Sequence, residues 1–415
     1  MNSAANSPDL ASLPIILSGG LEIVSLAVAE TLQRAGIGYR VISLVPRSLL
    51  RGAPGCERLV DLAQVASKPE RLRVALLECL YDWQAADSRK LVLFATEDGG
   101  LRCLNEFAEE ICQVADFPRA RALRYGGLDK AELFLHLANS GASQDIPATE
   151  VLDDLEQVPA ALRRLGDCAI FKPALKPWDM DLSRMGAKLV TRQGGESDRE
   201  LMARLSRAWP ISHRWVAQQR LRPYGNGERG VWAVRGAHSI DAIEFVERWK
   251  HPASGGTGCW VETTQEDQLK SAGTRILEAL DYRGLAEIPF LQQADGSPRM
   301  LEVNQRAWLQ VGLAEHSGAA MVLNTLRALS DEPLSDSQAT FVPRTWVNLE
   351  RAAAAAVSGD NGGRSSACVT LIRLLLSRPQ LAVYSSRFPR VRRRWVARMA
   401  GKVGRYLLSK LKGSK

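Results

Sequence analysis

The chain has 415 residues, 46% hydrophobic and 24% charged, enough to form two or three domain cores. Its formal charge of +8 does not mark a nucleic-acid binder, because residues 388–415 hold ten Lys/Arg and no acid, leaving 44 basic against 46 acidic side chains elsewhere. Seven scattered cysteines with no Cys-x-x-Cys argue against a zinc site or a disulfide framework; with no leader pattern and no uncharged apolar run of spanning length, a cytoplasmic protein is expected.

Residues 14–45 read as a βαβ opening. Pro14 to Ser18 is a short buried strand, Gly19-Gly20 turns, Leu21 to Ala35 is helical, and Tyr39 to Val45 is the next strand. No G-x-G-x-x-G follows the first strand, so the glycine pair reads as a tight turn and no cofactor is assigned there. A helix over Glu70–Ala86 leads to the strand Lys90–Ala95 and then to Thr96-Glu-Asp-Gly-Gly100. Residues just past the carboxyl end of a parallel strand are where open α/β sheets bind ligands. Asp98 is therefore a substrate-contact candidate, with helix capping as the plainer alternative.

Leu128 to Gly141 is a short amphipathic helix with Lys130 in its first turn, where the helix dipole disfavours a cation. That lysine is either solvated or bound to an anion. Ala169-Ile-Phe-Lys-Pro173 is an apolar strand carrying Lys172, whose ammonium needs an anion unless it snorkels to the surface. Ser197-Asp-Arg-Glu200 is a capping box opening a helix to Ala208. Trp215 to Leu221 reads as a strand, Pro223 to Glu228 as its turn, and Val231 to Arg235 as a further strand. Arg248 and Lys250 precede a Gly255-Gly256-Thr-Gly258 cluster; they meet either phosphate, a carboxylate or solvent at a strand edge. Thr264–Leu280 and Trp308–Leu329 read as helices.

Between those helices lies a β-hairpin. Leu285–Leu291 and Arg299–Asn304 flank Asp295-Gly296, a turn signal that suggests a two-residue loop. Strand alternation sends Ala286, Ile288, Phe290, Leu301 and Val303 inward and puts Glu287, Glu302 and Asn304 on the other face. Two carboxylates and a carboxamide, with Arg306 two residues on, suit a Mg-nucleotide site: Mg²⁺ takes a few carboxylate oxygens and completes its octahedron with phosphate and water, and an arginine fork binds phosphate. For the hairpin alone, an acidic solvated face is the plainer reading.

The order of these parts resembles the ATP-grasp superfamily, particularly its carboxylate–amine ligases and carbamoyl-phosphate-synthase-like members. The series runs from the βαβ unit through Asp129-Lys130, Lys172-Pro173, Gln218-Gln219-x-Leu221, Arg248…Gly255-Gly256 and Gly284-Leu-Ala-Glu287 to Leu301-Glu-Val-Asn-x-Arg306. The resemblance covers about residues 14–325, with Glu287 and Glu302-x-Asn304-x-Arg306 as its most specific piece. It implies an α/β fold: a Rossmann-like pre-ATP-grasp domain (1–125), a two-lobed α+β ATP-grasp domain (126–335, lobes 126–212 and 213–335) and a helical basic extension (336–415).

It further implies ATP with Mg²⁺ or Mn²⁺ as cofactors. Glu287, Glu302 and Asn304 would hold the metal and Arg306 would contact the terminal phosphates. Lys130 and Lys172 would bind the α- and β-phosphates. Gln218, Gln219 and Leu221 would lie along the adenine, with Glu228 in the same nucleotide site, and Arg248 would stabilise an acyl phosphate. The chain departs from the family at Gln219, commonly Glu, and at Lys176-Pro-Trp-Asp-Met, where many members have a Gly-rich loop. The implied activity is an ATP-dependent ligase that activates a carboxylate as an acyl phosphate and joins it to an amine. The rivals are a non-catalytic membrane-associated scaffold of the same fold and a biotin-type carboxylase.

The tail is a separate matter. Val391, Trp395, Met399, Val403, Leu407 and Leu411 recur every four residues among Lys and Arg, the pattern of a helix lying on an anionic membrane. A plain solvated helix fits as well. An acidic partner is a further alternative, and RNA ranks last for want of a recognised module. The expected location is the cytoplasm, with the tail on the inner face of the membrane.

Overall fold

The strand Ser12–Ser18 is buried along its whole length and pairs in parallel on both sides, with Tyr39–Ser43 and with Lys90–Ala95. A strand covered on both faces reads as a continuous apolar run, as this one does. Cys56–Asp61 and Ala115–Asp116 complete a five-stranded parallel sheet in which the first strand is central. The helices Glu22–Arg34, Pro69–Ala86 and Asp98–Glu106 alternate with these strands. The structure, a computed structural model, describes residues 11–175, 189–221, 228–253, 256–358 and 364–382, with positions 388–390, 392–394, 396, 397 and 401.

The Gly19-Gly20 turn has its own explanation in the chain. Gly20 N–H donates to Glu97 Oε2 at 2.6 Å, and a Cβ on Gly19 would fall on the Glu97 carboxyl. The chain's own carboxylate therefore sits at this helix entrance, where an anion is favoured.

A second, four-stranded antiparallel sheet joins Thr149–Leu152, Trp215–Gln218, Ile170–Pro173 and Val190–Thr191. Its core of Leu152, Phe171, Leu201, Leu205 and Trp215 is closed by the helices Val158–Leu165 and Asp198–Ala208. The Ser197/Glu200 capping box forms as expected.

The largest sheet is antiparallel through Tyr282–Gln292, Glu228–Arg235, Ile240–His251, Thr257–Thr264 and Thr345–Val347. One face, with Val231, Ala233, Ala286, Ile288 and Phe290, packs on the helix Lys270–Ala279. The other carries Trp232, Ile243 and Phe245 into a core shared with the helices Glu22–Arg34, Val311–His316 and Met321–Leu329. The parallel sheet's first helix and the large sheet thus belong to one continuous apolar cluster.

The expected helix over 308–329 is two helices, because Gly318 takes φ +92 between them, a left-handed conformation that ends the first. The helix expected from Thr264 starts only at Lys270, where the buried Glu244 carboxylate accepts from Leu269 N–H at 2.5 Å and Lys270 N–H at 3.3 Å. Of the expected basic tail helix, residues 391, 395, 398–400 and 402–415 lie outside the described residues; Phe388 is buried in the main core.

Candidate functional site

The hairpin forms, but with a different loop from the one the Asp-Gly pair suggests. Gln293 N–H bonds to Ser297 O, so the loop is Ala294-Asp295-Gly296, with Gly296 at φ +83. Such three-residue loops place a residue in the left-handed region, here the glycine. Phe290 faces Met300, yet Glu287 faces Asn304, so one extra residue is accommodated between them. That bulge changes the expected inward set. Met300 and Val303 are buried, while Leu301 is only half-buried.

The same irregularity sets the site. Glu287 and Asn304 exchange both backbone hydrogen bonds, at 3.0 and 2.8 Å. Asn304 Nδ2 donates to Glu287 Oε2 at 3.0 Å and to Glu302 Oε1 at 3.3 Å. Trp232 Nε1 donates to Glu287 Oε1 at 3.0 Å from the neighbouring strand. Burial pushes the Glu287 carboxyl above its ordinary pKa, against the Trp232 hydrogen bond and the Arg306 charge, and the Glu302 charge adds to the rise.

An NH₂ group between two carboxylates satisfies both, and it occupies the position a cation would take. A half-turn of the amide presents Oδ1 instead, giving three hard oxygens from three side chains. Among the described residues no three Asp, Glu, His or Cys side chains converge as a metal cluster. Two carboxylates plus one carboxamide is nevertheless a donor set that fits Mg²⁺, whose remaining positions go to phosphate and water.

Arg306 follows directly. Its Nε donates to Asp98 Oδ1 at 2.6 Å, 208 positions away, and Ala307 N–H bonds to Ala95 O at 3.1 Å. The segment after Asn304 is therefore stitched to the carboxyl end of a parallel strand, the edge at which Asp98 was expected to act. Asp98 lies in the first turn of its helix, with Glu97 at the cap position. Burial lowers the Arg306 pKa, but the charges of Asp98, Glu287 and Glu302 outweigh it and hold the guanidinium charged.

The remaining candidates fall into three places. Lys172 Nζ donates to Gln218 Oε1 at 2.9 Å, and Gln218 Nε2 donates to Thr149 Oγ1 at 3.0 Å, so this lysine and glutamine meet on the four-stranded sheet. Lys130 opens its helix with its N–H on Ala174 O at 2.8 Å, beside the end of the Lys172 strand. Gln219 is exposed, its N–H on Ala148 O at 2.9 Å, and Leu221 is half-buried at the edge of the described chain. The bulky stretch Lys176-Pro-Trp-Asp-Met and most of the 223–228 turn lie outside the described residues.

On the large sheet, Glu228 and Arg248 part company. Glu228 pairs with Lys250 at 2.6 Å, and Lys250 also reaches Glu247 at 3.6 Å. Burial lifts the Glu247 carboxyl to about 7; Lys250 opposes this, while Glu228 and Glu287 add to it. Arg248 instead pairs with Glu262 at 2.8 Å and is 43% exposed. Glu262 sits opposite Val246, so by alternation this pair lies on the sheet face away from Glu287, Trp232 and Glu247. The structure thus brings Lys250, not Arg248, towards the acidic group. Register shifts on either side of Trp249 put Lys250 beside Glu247, and strict alternation in the sequence hides this.

No known family model matches the chain, and no curated protein matches it. Solved structures do. An N5-carboxyaminoimidazole ribonucleotide synthetase in its ADP complex aligns with TM-score 0.59 at 13% identity, over 84% of this chain and 85% of that one. A biotin carboxylase from Campylobacter jejuni, a β-γ-ATP complex, aligns with TM-score 0.60 at 13% identity, over 81% and 74%. An L-amino acid ligase from Bacillus licheniformis aligns with TM-score 0.56 at 15% identity, over 80% and 78%. At such identities the likeness speaks for the fold. The chain has the ATP-grasp fold behind a Rossmann-like parallel sheet, as the series of motifs led us to expect.

Proposed function

We propose that the protein is an ATP-dependent ligase that activates a carboxylate as an acyl phosphate and couples it to an amine. The observation that carries this reading is the bridged Glu287–Asn304–Glu302 group with Arg306 beside it, fixed to Asp98 at the carboxyl edge of the parallel sheet. In this proposal Glu287, Glu302 and the turned Asn304 amide hold Mg²⁺. The bound ion would neutralise phosphate oxygens.

The chain's own residues position and neutralise. Trp232 fixes one Glu287 oxygen, leaving the other to face the Asn304 side. Arg306, kept charged by Asp98, faces the transferring phosphoryl group. Lys172 and Lys130, at adjoining ends of a strand and a helix, take the inner phosphates; Gln219, Leu221 and the backbone after Gln218 lie along the base. Lys250 joins them from the large sheet, in the part first given to Arg248. A substrate carboxylate oxygen attacks the γ-phosphorus, the bond to the β–γ bridging oxygen breaks, and ADP leaves. The amine then adds to the acyl carbon, phosphate departs with the carbon–oxygen electron pair, and the amine proton is released. Such phosphoryl transfer needs placement and charge compensation, not a protein nucleophile.

Within this scheme the chain is proposed to divide near residues 125 and 335, although Thr345–Val347, expected in the helical extension, joins the large sheet. The basic segment 388–415 is proposed to rest on an anionic membrane surface. The test of the ligase is ADP release by the purified protein against a panel of acids, bicarbonate included, and amines. Release that requires both an acid and an amine supports the reading. Release with bicarbonate alone as the acid moves it to a carboxylase, and nucleotide binding without turnover on any pair moves it to a scaffold.

A further inference from the structure

The helix Arg364–Leu376 is apolar on more than one side. Its inner side places Leu374, 6% exposed, and Leu371 against Ala352, Ala355, Ala356 and Trp249. Its outer side shows Val369, Ile372 and Leu376, spaced i, i+3, i+7 along one stripe, exposed by 49%, 58% and 76%, with Leu375 beside them at 40%. Val357, on the neighbouring helix Leu349–Ser358, is a further exposed apolar side chain at 66%. An apolar stripe of this kind on a helix whose other side is already packed calls for a cover.

The charges around the stripe identify the cover. Arg373 lies one residue beyond Ile372, and Arg378 two beyond Leu376. From Asn361 to Lys415 the sequence has fourteen Lys/Arg and no Asp or Glu. A second copy of the chain would bring arginine against arginine, and the chain's own equally cationic tail would do the same. An apolar stripe flanked along its own helix by Arg373 and Arg378 complements a surface that is apolar within and anionic at its rim. A 13-residue helix is roughly 20 Å long, too short to cross a bilayer core of about 30 Å, so it would lie flat.

We propose that the outer face of Arg364–Leu376 is a docking surface for an anionic lipid bilayer, Val369, Ile372 and Leu376 entering the acyl boundary and Arg373 and Arg378 meeting the head groups. This extends the reading of the tail and is independent of the ligase chemistry, and the experiment separates the two. The full chain is sedimented with vesicles of phosphatidylcholine, with and without phosphatidylglycerol, at low and high salt. Binding is expected only with phosphatidylglycerol and is weakened by salt.

The double variant Ile372→Glu/Leu376→Glu should bind at least roughly tenfold more weakly, while Val74→Glu, at an apolar residue 48% exposed on the first domain, should bind as the parent does. The thermal midpoint of each variant checks that it is folded. Parent-like vesicle binding by the folded double variant overturns the proposal, even if deleting 388–415 abolishes binding. So does conversion of a dimer to a monomer by the double variant in light scattering, or binding of a single-stranded oligonucleotide that the double variant loses in place of vesicle binding.

Discussion

Replacing Asn304 with leucine keeps the side chain's size and removes the amide that separates Glu287 from Glu302. The two accepting oxygens lie 3.0 and 3.3 Å from one nitrogen. They are thus within about 6 Å of each other, where two charges at an effective dielectric of about 20 repel by roughly 3 kcal/mol. Glu302 is exposed, so solvent screening leaves about 1 kcal/mol of this. Loss of hydrogen bonds to charged acceptors adds about 1.5–3 kcal/mol. Asn304→Leu should therefore destabilise the protein by about 2–4 kcal/mol at pH 8. The loss should be smaller at pH 5 than at pH 8, because burial raises the Glu287 carboxyl above its ordinary pKa and the repulsion fades as it takes up a proton. Urea unfolding followed by tryptophan fluorescence at both pH values measures this. An identical loss at the two pH values would show that the carboxylates do not confront each other as charges.

Two further predictions concern the surroundings. Asp98→Asn removes the carboxylate on Arg306; since Asp98 is 57% exposed, stability should change by less than about 1 kcal/mol. ADP release should nonetheless fall about tenfold or more, and turnover equal to the parent's would remove Asp98 from the site. Glu315 tests a half-buried acid outside it. Burial lifts its carboxyl from 4.5 to about 8, and it accepts from Val322 N–H at 2.7 Å. The folded protein thus holds an extra proton between these values, and the stability it contributes is complete below 4.5 and lost as pH rises through 8. Glu315→Gln keeps the acceptor and does not titrate. It should match the parent at pH 4.5 and exceed it by roughly 4 kcal/mol at pH 9; parallel pH–stability curves for the two proteins would refute this.

Much of this architecture was legible because local rules governed it. Ser12–Ser18 and Lys90–Ala95 are apolar runs bounded by turn residues, the Ser197 box formed as written, and Glu287, Glu302 and Asn304 were read onto one patch from alternation and a turn. What escaped depended on distant neighbours or broken alternation. The three-residue loop and the bulge hid behind an Asp-Gly pair that signals a shorter turn, so Met300 took the inward place expected of Leu301. Trp232 and Asp98, which hold Glu287 and Arg306, are 55 and 208 positions from their partners, and no spacing rule joins them. Lys250 was visible as a basic residue by a glycine cluster. Only the double register shift around Trp249 shows that it, and not Arg248, turns to Glu247 and Glu228.

The central claim is a divalent ion held by Glu287, Glu302 and Asn304 with nucleotide phosphate beside it. Calorimetric titration of ATP into the purified protein, with Mg²⁺ and with excess chelator, tests it without knowledge of the acid or the amine. We predict binding that Mg²⁺ strengthens at least about tenfold, and that Glu302→Ala, folded to the same thermal midpoint, loses this dependence. ATP binding of equal strength with and without Mg²⁺, or a Glu302→Ala variant as metal-dependent as the parent, would contradict the account.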